Sequence, residues 1–200
     1  MGTLLADPFV TLMPALLAGI TNMIWVRLPV AKALLRPIDG GRIWRDGRAL
    51  FGPNKTWKGL VGMVVLAAAF SLIWGWICAA HEPIGSHHRI YAAFGDSWSV
   101  SLIWGLAIGA VYAACELPNS FLKRRLDVTP GHTARRASTP TRLGLVILDQ
   151  CDSVTGMVLL SWWPATLRPV EAGCWIALGG VTHLATNNLL YAVHLRRSPL

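Results

Sequence analysis

Charge is scarce in this sequence. Charged residues make up 14% of the chain and hydrophobic residues 54%, where a soluble domain carries about 25% charge. That excludes an ordinary water-soluble globule, which needs far more polar surface. Mean hydropathy is +0.47. Cysteine is sparse: Cys78, Cys115, Cys151 and Cys174 lie far apart, with no CxxC and no zinc spacing. A disulfide framework and a zinc module are both excluded. Such thiols are expected to be reduced and packed among apolar neighbours. The opening MGTLLADPFV lacks a basic n-region, so no cleaved leader is expected. Ala6 stands where a myristoylation signal needs Ser or Thr. Internal repeats and low-complexity tracts are also missing.

What the sequence does have is apolar runs of membrane-spanning length, about 20 residues each. Five candidate spans cover residues 4–26, 59–80, 98–116, 144–163 and 172–193. Asp7, Pro8 and Pro14 interrupt the first. Most tryptophans lie in or near spans, several at their ends, as interfacial anchors do. The expected fold is all-α: one membrane-embedded domain over residues 1–200, multi-pass in the cell membrane.

Basic residues set the orientation. Residues 28–58 hold seven (Lys32, Arg36, Arg42, Arg45, Arg48, Lys55 and Lys58), and residues 117–143 hold six (Lys123, Arg124, Arg125, Arg135, Arg136 and Arg142). The intervening loops hold only Arg89 and Arg168. This alternation follows the positive-inside rule. It puts the N-terminus outside, the C-terminus in the cytosol, and two long basic loops on the cytosolic face. The formal charge of +8 is thereby gathered against anionic lipid, and no nucleic-acid partner is expected.

Against this background Asp149 and Asp152 stand out, inside the fourth span in LDQCDS. A carboxylate at the bilayer centre costs about 2.5–3.5 kcal/mol on insertion scales. Their i,i+3 spacing puts both on one helix face. At 1.5 Å rise per residue from Gly144 they lie roughly 8 and 12 Å in, close to the cytosolic headgroups. Two like charges at that spacing call for a cation, and Mg²⁺ takes one or two carboxylates and completes its shell with waters and substrate phosphates. A structural Asp–Arg pair or an ion relay would use the same residues.

Two further features reach the same depth. Glu116 closes the third span, and Ser120, Lys123, Arg124 and Arg125 follow it. Such cations suit a phosphate ligand, or serve as ordinary flanking charge. The stretch LFGPNKTWKG opens the second span. A helix start favours anions, and Asn54, Lys55 and Thr56 supply donors there, or Thr56 or Asn54 caps the helix. The pattern is not a Walker loop, because the second glycine is missing before the lysine. The topology brings all three features to one membrane face, where a soluble nucleotide could meet a lipid phosphate.

The runs PIDGGRIWRDGRALFGPNKTWKG, SFLKRRL and LDQCDS, in that order, resemble the CDP-archaeol synthase family of membrane cytidylyltransferases. More distantly they are similar to bacterial phosphatidate cytidylyltransferases, whose signature runs S-x-x-K-R, P-G-H-G-G, D-R-x-D. The likeness extends from Pro37 to Gly156. It implies an Mg²⁺-dependent reaction of CTP with a membrane lipid phosphate, either phosphatidate or an archaeal-type ether glycerol phosphate, giving a CDP-lipid and pyrophosphate. Carried over to this sequence, it implies Asp149, Asp152, Lys123 and Arg124 as catalytic residues, and Glu116, Asp149 and Asp152 around the metal. Asn54, Lys55, Thr56, Ser120, Lys123 and Arg124 would bind CTP. Arg125 and His132 would bind the lipid phosphate. The sequence departs from the pattern at Glu116, where an aspartate is usual, and at Asn119, where the phosphatidate enzymes carry an acid. Thr133 and Ala134 replace the glycines after His132, and the segment leading to Asp149 is longer.

Two other functions share some of these features. A CDP-alcohol phosphotransferase would follow its D-x-x-D with G-x-x-A-R and two more aspartates, whereas SVTG follows Asp152 and the next acid is Glu171. A small transporter or scaffold would use the carboxylates as an ion path, yet the second and fifth spans carry no charge to continue one. His87 and His88 are expected in a solvated outer loop, with Asp7 and Asp96 as outer-boundary residues. His183, Asn187 and Asn188 are expected to pack between helices.

Overall fold

Proline within the first apolar run does not break it. In the computed structural model, which describes residues 2–129 and 138–192, α1 runs unbroken from Gly2 to Trp25 through Pro8 and Pro14. Proline lacks an N–H, so Pro14 leaves the carbonyl of Val10 without its helical donor. The indole Nε1 of Trp74, on a neighbouring helix, donates to that oxygen at 2.9 Å. Membrane helices tolerate proline where a neighbour satisfies the freed group in this way.

A loop with a 3-10 turn at Lys32–Leu35 leads to α2, Trp57–Ala80. The Thr56 hydroxyl caps α2 by accepting from the Gly59 amide at 3.2 Å. Two short helices follow, α3 at Glu82–Gly85 and α4 at Arg89–Phe94. Then come three long helices: α5 (Trp98–Arg125), α6 (Thr139–Trp162) and α7 (Pro169–Ala192). The described residues contain no strand, only isolated bridges at Pro37–Thr56 and Ile43–Ala49. The architecture is all-helical.

Helices α1, α2, α5 and α6 are long and apolar enough to cross a membrane. The fifth expected span, α7, matches α2 in length at 24 residues but carries His183, Asn187 and Asn188 in its second half. Large side chains face outward along the bundle, among them Trp76 at 75% and Trp163 at 81% exposure. Such a surface suits lipid and would be a liability in water. Inside, Met63, Trp104, Ile108, Met157 and Trp175 form the shared core.

Close approach is achieved with glycine. A Cβ on Gly105 of α5 would lie 2.5 Å from the Cα of Ala68 on α2. One on Gly156 of α6 would lie 2.2 Å from the sulfur of Cys115 on α5. In lipid, where helices associate partly through van der Waals packing, small residues let their backbones approach closely.

The ends of the bundle differ. At one end the 26–56 loop folds over the end of α5: Arg125 donates to Ala49 O at 2.6 Å and pairs with Asp46 at 3.1 Å, while Trp44 meets Phe121 edge-on at 5.5 Å. The other end is closed by Asp7, which binds His87 at 2.8 Å and Arg89 at 3.5 Å, while Arg89 also donates to Ala165 O at 3.0 Å. The solvated loop expected around His87 and His88 is therefore corrected. His88 is fully buried and stacks on Tyr91 at 3.6 Å. Burial pushes its imidazole down to about 4. Asp7 is buried as well, whereas Asp96 is exposed.

Candidate functional site

The site is built at the end of the bundle that carries the 26–56 loop. Backbone bonds from Ile38 N to Lys55 O (2.8 Å) and from Trp57 N to Arg36 O (3.1 Å) close the loop's base. Asp39 organises its interior. Its carboxylate accepts from Gly41 N at 2.9 Å, Phe51 N at 2.9 Å and Gly52 N at 3.1 Å. Burial alone would raise its pKa, but these backbone donors outweigh burial and hold it below the ordinary value. Gly52 has φ +99°, a conformation that favours glycine. This turn delivers Asn54, Lys55 and Thr56 to the wall of a cavity.

Helix α5 supplies the facing wall. Glu116, Asn119, Ser120 and Lys123 recur at three- and four-residue intervals, so they share one helix face. Helix α6 adds Asp149 and Asp152, one turn apart. Lys55 Nζ makes an ion pair with Glu116 Oε2. Lys123 Nζ meets Asp149 Oδ1 at 2.5 Å. The Asn119 amide nitrogen donates to Asp149 Oδ1 at 3.0 Å and to Asp152 Oδ2 at 2.7 Å. The other oxygen of Asp152 accepts from Ser153 N at 2.6 Å and from its hydroxyl at 3.2 Å. Burial would lower the pKa of Lys55, but Glu116 first, then Asp152 and Asp149, outweigh it and raise it.

The cavity holds about 620 Å³. Asn54, Lys55, Glu116, Asn119, Asp149 and Asp152 line its polar end, and it continues between α1 and α7 along apolar residues such as Leu12, Leu16, Trp175 and Leu178. One hollow thus presents an ionic end and an apolar end.

Among the described residues no three His, Cys, Asp or Glu side chains form a ready-made metal cage. Mg²⁺ does not require one, since waters and substrate phosphates complete its shell. Asp152 takes its hydrogen bonds from uncharged groups, Asn119 and Ser153, and Asp149 stands one turn before it. This oxygen donor set fits a hard divalent cation, with Glu116 on the same cavity wall.

The remaining expected residues are placed differently. Lys123 reaches the site through Asp149. Arg124 is buried at 9% exposure and is not part of the cavity lining. Arg125 is turned toward the loop, holding Ala49 and Asp46 with its guanidinium over Phe121 at 4.6 Å. His132 lies outside the described residues. Asn187 donates to the Gln150 side chain at 2.9 Å, and the His183 ring meets the Gln150 carbonyl at 3.3 Å. Both therefore join α7 to α6 and also line the cavity. Asn188 donates to Leu184 O of its own helix at 2.8 Å.

Sequence reasoning missed two participants. Asn119 was noted only as a departure, yet it ties the two aspartates together. Its place on the Glu116–Lys123 helix face was the available signal. Asp39 was unread; the Asp-Gly-Gly turn around it was the clue.

Comparison with known proteins follows the same outline. The CarS-like family model, described as CDP-archaeol synthase, matches residues 9–199. A CDP-archaeol synthase of Thermococcus onnurineus is 33% identical over 82% of this chain and 82% of its own length. One from Pyrococcus furiosus is 29% identical over 82% of this chain and 83% of its own. A solved structure, described as an intramembrane enzyme for archaeal membrane lipid biosynthesis, superposes with a TM-score of 0.59. It is 25% identical, covering 90% of this chain and 91% of that one.

Proposed function

This chain belongs to the CDP-archaeol synthase family, and on that premise we propose that it transfers the cytidylyl group of CTP to an ether-linked glycerol phosphate lipid of the archaeal type. The products are a CDP-lipid and pyrophosphate. The observation that carries this reading is one cavity with Lys55 and three carboxylates at one end and apolar walls at the other, Lys123 reaching it through Asp149. A nucleotide triphosphate suits the first, and a lipid chain suits the second.

A phosphate oxygen of the lipid attacks the α-phosphorus of CTP. The new P–O bond joins lipid phosphate to CMP, and the bond from the α-phosphorus to the β-bridging oxygen breaks, releasing pyrophosphate. Lys55 and Lys123 neutralise the triphosphate, which lowers the cost of bringing two anions together. Arg124 adds positive potential from behind the wall. Asn54, Thr56 and Ser120 offer hydrogen bonds for orientation. Asp149 and Asp152, with Glu116, would hold Mg²⁺, which when bound would polarise the phosphoryl oxygens and orient the leaving group. No side-chain nucleophile is required. The site end faces the cytosol, where CTP is found. Support comes from the basic 26–56 loop and the basic last turn of α5, which sit at that end and agree with the positive-inside rule.

The test is pyrophosphate release by purified protein given CTP, Mg²⁺ and one acceptor at a time. Release with the ether lipid phosphate exceeding that with phosphatidate is expected. Release with neither acceptor overturns the proposal.

A further inference from the structure

The two lysines that would meet the triphosphate are engaged by two of the carboxylates that would meet the metal. Lys55 is paired with Glu116, and Lys123 with Asp149 at 2.5 Å. Lys55, Glu116, Asp149 and Asp152 line one cavity and Lys123 reaches it through Asp149, so the cluster carries three negative and two positive charges. Metal-free triphosphate would meet net negative charge and lysines already neutralised. A divalent cation alone would have to draw Glu116 and Asp149 away from their lysines, leaving each ammonium without a partner in a partly buried site. Side-chain exposures of 20–31% across the four groups keep these interactions stronger than at an open surface.

We infer that the two ion pairs form an exchange gate: Glu116 and Asp149 turn to the divalent cation as Lys55 and Lys123 turn to the phosphates, so that nucleotide and metal bind well only together. The inference rests on the functional reading above and goes beyond it, because it assigns the lysine–carboxylate pairs a role in coupling the two ligands. Asn119 supports the exchange by holding Asp149 and Asp152 from one uncharged amide while Lys123 leaves. The swap replaces two charge pairs by two others, so neither step strands a desolvated charge.

A consequence separates this gate from simple contact residues. Removing one member of a pair should improve binding of the ligand that the other member serves. The full chain in detergent micelles, without lipid acceptor, is titrated with CTP in the presence of a chelator, and separately with Mn²⁺ alone followed by electron paramagnetic resonance. Glu116→Gln should bind metal-free CTP at least about fivefold more tightly than wild type, the lower range of measured site couplings. Lys55→Gln should bind Mn²⁺ alone at least about fivefold more tightly. In the double variant Lys55→Gln/Glu116→Gln the gain for CTP should vanish, which it would not do if Glu116 acted on CTP by repulsion alone. Asp149→Asn and Lys123→Gln repeat the test on the second pair, should either first variant fail to fold. Wild type that binds CTP with Mg²⁺, while the variants show no gain, overturns the gate and leaves the functional reading standing. Wild type that binds no CTP even with Mg²⁺ overturns both.

Discussion

Asn119 donates to Asp152 at 2.7 Å, and the same nitrogen donates to Asp149 at 3.0 Å. One neutral amide on α5 thus fixes the separation of two carboxylates on α6. A third acid here would repel both, and an apolar residue would release them. Asn119→Leu should weaken apparent Mg²⁺ affinity in the transfer assay by about ten- to a hundredfold, as loss of groups supporting metal ligands does elsewhere. An unchanged Mg²⁺ titration contradicts this role.

Of the three carboxylates on the cavity wall, Glu116 and Asp149 pair with lysines while Asp152 accepts from the uncharged Asn119 and Ser153, so it is the one best disposed toward a cation. Asp152→Asn keeps the shape and removes the charge. Transfer should fall by at least about a hundredfold, the scale of losing a metal's charge stabilisation, while the protein stays folded by thermal melting. Full Mg²⁺-dependent activity in this variant would show that the assignment is wrong.

The Trp74–Val10 bond explains how α1 accommodates Pro14. Trp74→Phe strands the half-buried Val10 carbonyl and should cost about 1–3 kcal/mol. In a Pro14→Ala background residue 14 can donate to Val10 itself, so the same change should cost measurably less. Additive losses in this double-mutant cycle, read by thermal unfolding in detergent, would contradict the explanation.

His88 gives a pH dependence. Its folded pKa is lowered to about 4 from 6.5 by burial. Below 6.5 the unfolded chain takes up a proton that the folded chain refuses, so stability present above pH 6.5 is lost as pH falls toward 4. The full effect is roughly 3 kcal/mol. Melting temperature should decline over that window in wild type. His88→Phe, which keeps a ring against Tyr91, should remove that part of the decline; an identical slope contradicts it.

The helical, membrane-spanning character was legible because lipid demands long apolar runs: the five runs lie in the five long helices, and four of these are long and apolar enough to cross a membrane. The convergence of Lys55, Glu116, Asp149 and Asp152 was legible because alternating charge bias places loops on one face. What escaped was decided by side-chain geometry rather than pattern. His87 and His88 do lie between helices, but Asp7 and Tyr91 draw them out of solvent into the closed end. Arg125 sits among cations in sequence, but Asp46 and Ala49 claim it. Asn119 carries no charge to draw attention, and its role arises only when α5 meets α6.

Cytidylyl transfer puts the α-phosphorus of CTP on the lipid. Purified protein with Mg²⁺ and the ether lipid phosphate is given CTP radiolabelled at the α-phosphate in one tube and at the γ-phosphate in another. The α-label is expected in the organic phase and the γ-label in water as pyrophosphate, with neither transfer in Asp152→Asn. Label from the γ-phosphate entering the lipid, or none from the α-phosphate, would contradict it.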